Sequence, residues 1–108
     1  MKVEMTIRNR GSAYWADAIY DGKRVTVLPG GLISRHFASH IKGGNAAKIV
    51  RDNREYVDEN GRIIKECVFN SPSTAAQFVL GTSKNGYISW RLQDGMTLGD
   101  YLKQKGIR

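Results

Sequence analysis

The sequence predicts an α+β domain: an antiparallel sheet of about five strands with two to three helices packed on one side. Three observations lead there. Residues 2–8, KVEMTIR, alternate strictly, with Val3, Met5 and Ile7 on one face and Lys2, Glu4, Thr6 and Arg8 on the other, the pattern of a half-buried strand. Asp21-Gly22 between two strand-like runs, and Asn60-Gly61 ahead of another, are tight-turn signals, since the favoured two-residue turns need positive φ. Residues 71–81 open on a capping serine and a proline and close on a glycine, which brackets a helix.

The elements follow in order. After the turn Asn9-Arg10-Gly11-Ser12, residues 13–20 form a second strand with Tyr14, Ala16, Ala18 and Tyr20 on one face, and Asp21-Gly22 turns it into a third, residues 23–28, with Val25 and Val27 inward. Pro29-Gly30-Gly31 stops this meander, and the run to Gly44 has no period. Residues 45–57 turn helical, with Asn45 as cap and Ala46, Ile49, Val50, Asn53 and Val57 on one face. On its other face Lys48 and Asp52, Arg51 and Glu55, and Arg54 and Asp58 form i, i+4 pairs, each contributing about 0.3 kcal/mol, the signature of a solvated surface. Residues 62–69 read as a fourth strand.

Ser71 can accept a bond from a free first-turn N–H, and Pro72 suits the first helical position, where no donor is needed. Pro72, Ala75, Ala76 and Val79 share a face, and the two alanines call for close packing. Gly81 suits a left-handed cap. Lys84-Asn85-Gly86 is turn chemistry, and residues 87–90, YISW, read as the fifth strand. A last helix begins at Thr97, with Asp100 completing a capping box and Leu98, Tyr101 and Leu102 as its apolar stripe, and ends at Gly106.

The stretch FNSPSTAAQFVLGTSKNGYISW, followed by DGMTLGDYL, resembles a bacterial domain family of unknown function often fused behind GIY-YIG nuclease domains. Phe69, Ser71, Pro72, Ser73, Ala75, Ala76, Gly81, Ser83, Asn85, Gly86, Trp90, Asp94, Gly95, Thr97 and Leu98 match its hallmark F-x-SPS-x-AA…G-x-S-x-NG…W…DG-x-TL. The pattern is also similar to the RAMA domain, the restriction-enzyme-and-adenine-methylase-associated module, although Tyr87 stands where such domains often carry Trp. The resemblance implies a module that recognises double-stranded DNA, including methylated DNA, within restriction-modification or nuclease systems.

Charge points the same way. Seventeen Lys and Arg against ten Asp and Glu in 108 residues give a net charge of +7. The excess lies in residues 1–44 and 67–108, while residues 45–66 balance. Such a balance is the electrostatic footprint of a polyanion partner. The chain is long enough for a single domain with its own core. It shows no apolar run of membrane-spanning length and no leader ahead of the first strand, so a cytoplasmic location is expected. Cys67, the single cysteine, sits in an apolar strand and reads as a small buried hydrophobe.

No catalytic arrangement emerges, and an enzyme is not expected. His36 and His40 stand i, i+4 without the further ligands that a zinc site requires, so neither metal nor cofactor is expected. Ser71 and Ser73 lack a nucleophile elbow, and the glycine pairs at 30–31 and 43–44 make no phosphate-binding motif. The candidate nucleic-acid contacts are instead Arg24, Lys84 and Arg91, the basic loop with Arg35, His36 and Lys42, the hydroxyl of Ser73 at an open helix N-terminus, and Asn85, whose carboxamide suits an adenine edge. The alternative is a protein-interaction or oligomerisation module whose charge serves no nucleic acid.

Overall fold

Alternation fixes the sheet. The computed structural model describes residues 1–38 and 45–107. Among them Val3–Arg8 (β1), Trp15–Tyr20 (β2), Val25–Val27 (β3) and Cys67–Phe69 (β4) form a four-stranded antiparallel sheet in the order β1-β2-β3-β4. The register sets Val3 opposite Tyr20, Ala18 opposite Val27 and Val25 opposite Phe69. Val3, Met5, Ile7, Ala16, Ala18, Tyr20, Val25, Val27, Cys67 and Phe69 therefore share one buried face. A one-residue slip of any strand would turn its members of this set to solvent, which is what holds the register.

Among the described residues four helices follow the meander: Asn45–Arg51 (α1), Pro72–Leu80 (α2), Gly86–Ser89 (α3) and Leu98–Gln104 (α4). α2 crosses the apolar face of the sheet and touches every strand. Ala75 and Ala76 are completely buried and let its backbone approach closely, while Phe78 meets Phe69 with ring centroids 4.9 Å apart. Ser71 caps α2 by accepting the Thr74 N–H at 3.1 Å, and Gly81 ends it in the left-handed region at φ 73°. Thr97 caps α4 in the same way, accepting the Asp100 N–H at 3.1 Å. With α2 covering one face, the other face of the sheet stays open.

Three expectations are corrected. Residues 87–90 are not a fifth strand: the Asn85 side chain caps the four-residue α3 by accepting the Tyr87 N–H at 3.0 Å, and Ile88 points outward, 60% exposed. Gly86 has no positive φ either. What it supplies is proximity, since a Cβ there would lie 2.2 Å from the Pro72 carbonyl carbon. Pairing with the sheet comes one residue beyond the expected strand, at Arg91, whose N–H donates to the Thr6 carbonyl at 2.9 Å and whose carbonyl accepts the Thr6 N–H at 2.8 Å. The fourth strand shrinks to β4, with Arg62 and Ile63 making isolated bridges to Leu32 and Val57.

The third correction concerns α1, which stops at Arg51 rather than Val57 and turns a different face inward. Ala47 and Arg51 are buried, whereas Ile49 is 67% exposed and Ala46 is exposed. Lys48 does meet Asp52 at 3.0 Å on the surface. Arg51 does not reach Glu55. The residue is 7% exposed, and its guanidinium donates to the carbonyls of Phe78 and Ser34, to that of His36 at 3.2 Å and to Ser34 Oγ at 3.4 Å, and lies 5.0 Å from the Phe37 ring centroid. Phe78 belongs to the last turn of α2, whose carbonyls lack intrahelical partners, so a buried cation closes that helix end. Burial lowers the Arg51 pKa to about 10, against a smaller opposing pull from Asp52, which leaves the side chain cationic at neutral pH.

Candidate nucleic-acid interface

The Ser71–Trp90 stretch folds into a closed knot. The Gly86 N–H donates to Ser73 Oγ at 2.9 Å, and the Trp90 indole N–H donates to the Pro72 carbonyl at 2.9 Å from a side chain with no exposed surface. Gly86 thus lies directly on the first turn of α2. Of that turn's donors, Pro72 has none, Thr74 N–H is held by Ser71, and Ser73 N lies 2.4 Å from where a Cβ on Gly86 would stand. The helix start that the sequence offers as an open anion site is covered by its own chain. The Ser73 hydroxyl, a candidate for phosphate, fastens the knot instead.

Asn85 is exposed, but its carboxamide oxygen is committed to the α3 cap. Asn85→Ala is expected to lower stability by about 1 kcal/mol. Asn85→Ser, which keeps a capping oxygen, should recover most of that loss, with urea denaturation as the readout.

Strand order decides which cations meet. Val3 opposite Tyr20 and Val25 opposite Phe69 bring Lys2, the Asp21–Arg24 hairpin and the β4–α2 junction to one end of the sheet. The α2–α3 contact returns Lys84 and Asn85 to that same end, beside Pro72. Lys2, Lys23, Arg24 and Lys84 are all exposed there. Asp21 shares the hairpin, with its carboxylate bent back to accept the Arg24 N–H at 2.6 Å and the Lys23 N–H at 2.8 Å. Those bonds, the Arg24 one foremost, hold its pKa below the ordinary carboxylate value. Lys2 and Lys23 were not singled out from the sequence, and the hairpin turns on Gly22-Lys23 rather than on Asp21-Gly22: Tyr20 pairs with Val25, the Asp21 N–H donates to the Arg24 carbonyl at 3.1 Å, and of the two expected turn residues only Gly22 has positive φ, at 99°.

The remaining candidates lie elsewhere. Arg35 lines a cleft of about 210 Å³ in which it, Arg51 and Arg54 are matched by Asp52, Asp58 and Glu59, so the cleft carries no excess of positive charge for phosphate. His36 is exposed, and its carbonyl is what the fold uses, accepting from Arg51 and from the Ser34 hydroxyl at 2.9 Å. Lys42 lies outside the described residues, as does His40. Arg91 stands beside β1 on the open face, donating to the Gly95 carbonyl at 2.8 Å. Burial raises the Cys67 thiol to about 12, so it is protonated at neutral pH. No group of three His, Cys, Asp or Glu able to hold a metal occurs among the described residues, and no helix there is long and apolar enough to cross a membrane.

Residues 6–102 match a family described as Domain of unknown function (DUF4357). The chain belongs to the DUF4357 family. The match runs from the middle of β1 into α4, so it takes in the second half of β1, all of β2 to β4 and the α2–α3 knot of this DUF4357 domain. No curated protein and no solved structure matches the chain.

Proposed function

We propose that this DUF4357 chain is a non-enzymatic, DNA-binding accessory module of a restriction-modification or nuclease system, acting in the cytoplasm on double-stranded DNA. The observation that carries the reading is the gathering of Lys2, Lys23, Arg24 and Lys84 at one end of the sheet, in a chain of net charge +7. Four cations, Lys23 and Arg24 on a hairpin tip, Lys84 on a neighbouring turn and Lys2 just ahead of β1, suit the phosphates of one duplex face, which position a protein without reading sequence. Asn85 beside them is the one candidate for a base edge: its Oδ1 already accepts one N–H, and its Nδ2 is directed by that cap. The similarity of the Ser71–Leu98 motif to GIY-YIG-associated and RAMA domains gives the reading its cellular setting.

Fluorescence anisotropy with short duplexes, unmodified and adenine-methylated, across a salt series tests it. Four phosphate contacts give a slope of log K against log salt of about −3.6. Lys84→Ala is expected to reduce the steepness by about one contact, and Arg24→Glu with Lys84→Glu to abolish binding at physiological salt. Preference for the methylated duplex favours the RAMA-like side of the resemblance. Absence of binding at low salt leaves the protein-interaction module as the better account.

A further inference from the structure

The sheet face turned away from the helices carries a groove of about 620 Å³, bounded by β1, β2, Leu28 and the 89–95 turn. That volume falls within the range of about 300–1,000 Å³ typical of small-molecule sites. Because Thr6 and Arg91 exchange backbone hydrogen bonds and Thr6 faces Asp17, the side chains of Arg91, Thr6, Asp17 and Leu28 form one row across the open face. Arg8 lies one row along, beside the half-buried Trp15, and Ile19 lies on the opposite side, beside Glu4. The Thr6 hydroxyl donates to Asp17 Oδ1 at 2.7 Å, which fixes the carboxylate and leaves Oδ2 without a hydrogen bond among the described residues.

The groove is therefore cationic at Arg8 and Arg91, anionic at Asp17 in its centre and at Glu4, and apolar at Ile19 and Leu28. A continuous run of phosphates is repelled by Asp17 and Glu4, so the groove does not extend the basic end described above. It fits a single unit bearing an anion at one end, a flat apolar body, and N–H donors on its edge. We propose that the groove takes one nucleoside monophosphate unit with an amino-bearing base, adenine or cytosine. The phosphate lies between Arg8 and Arg91, the base rests on Ile19 and Leu28, and the exocyclic amine donates to Asp17 Oδ2. As part of DNA this is a nucleotide swung out of the strand, and in that form the inference rests on the DNA-binding reading. Free nucleotide offers the groove the same groups.

Titration of the full chain with dAMP, dCMP and dTMP, followed by Trp15 fluorescence and by backbone amide shifts, tests the proposal. Trp90 is wholly buried, and Trp15→Phe identifies the fluorescence signal. The expected result is tighter binding of dAMP and dCMP than of dTMP by about fivefold or more, with shifts at residues 17–19 and 91. Asp17→Asn is expected to reverse that order, because the Thr6 hydroxyl still holds Oδ1 and turns an N–H donor toward the thymine carbonyl. Leu28→Trp, at the half-buried rim, is expected to abolish binding with the thermal melt unchanged. Equal affinity for all three nucleotides, or shifts confined to residues 2, 23–24 and 84, overturns the groove assignment.

Duplex titrations separate this failure from that of the DNA reading. Duplex binding that Leu28→Trp leaves intact, with no nucleotide response, removes the groove and retains the basic end. A nucleotide response without duplex binding removes the DNA reading and makes free nucleotide the occupant. Where both occur, a 2-aminopurine duplex should brighten on binding and lose that response with Leu28→Trp.

Discussion

Gly86→Ala is expected to destabilise the fold by about 3 kcal/mol or more. The added Cβ would stand 2.2 Å from the Pro72 carbonyl carbon and 2.4 Å from both the Pro72 oxygen and Ser73 N. All three are backbone atoms of the first turn of α2, so no rotamer change relieves the overlap. Relief requires α3 to move off α2, which breaks the Gly86-to-Ser73 and Trp90-to-Pro72 hydrogen bonds together and opens the site of the largest fully buried side chain. For a domain of this size the loss corresponds to a melting temperature lower by about 12 °C or more. Thermal denaturation followed by circular dichroism measures it. A loss under about 1 kcal/mol would mean that the α2–α3 contact is looser than described.

Removing the buried cation comes next. Arg51→Met is expected to cost about 3 kcal/mol, because the thioether keeps much of the volume while the carbonyls of Ser34, His36 and Phe78 lose their shared donor in a dry setting. Arg51→Lys keeps the charge but lacks the planar fork, and should recover less than half of the loss. The effect is expected to be local as well as global. The Ser34 N–H, donated to the Val79 carbonyl, and the Ala38 N–H, donated to the Gly81 carbonyl, hold the 34–38 segment against the end of α2. Hydrogen exchange at these two amides should therefore accelerate more than at the amides of β2 in the Met variant. If both respond only as the global stability does, Arg51 supports the core without latching this segment.

These two expectations also separate what was legible in the sequence from what was not. α2 was legible because its signals are local: Ser71 needs only the next three residues to cap, Pro72 suits a first turn by its own geometry, and Gly81 supplies the left-handed residue that ends it. β1 to β3 were legible because alternation and a turn glycine specify a hairpin without reference to the rest of the chain, although the turn itself falls on Gly22-Lys23 and not on Asp21-Gly22. α3 was not, since four residues are too short for a helical period and Tyr87-Ile88 carries strand propensity. The deciding term was contact with α2, which propensity does not contain.

Arg51 illustrates the same limit for charge. On a helical wheel it belongs with Glu55 on a solvated face, and only the approach of residues 34–38 to the last turn of α2 supplies the carbonyls that draw it inward. The candidate site divides likewise. Arg24, Lys84 and Asn85 were named from residue type, yet their meeting with Lys2 and Lys23 depends on strand order and on the return of α3 to the start of α2. Ser73 was named for an anion that its own chain displaces. By itself the sequence determined the family, the α+β class and the local punctuation of this DUF4357 chain, because those rest on contacts within a few residues. Which side chains face the groove, which face the core and which cations stand together was decided by contacts between residues far apart in sequence, and only the tertiary structure contains those.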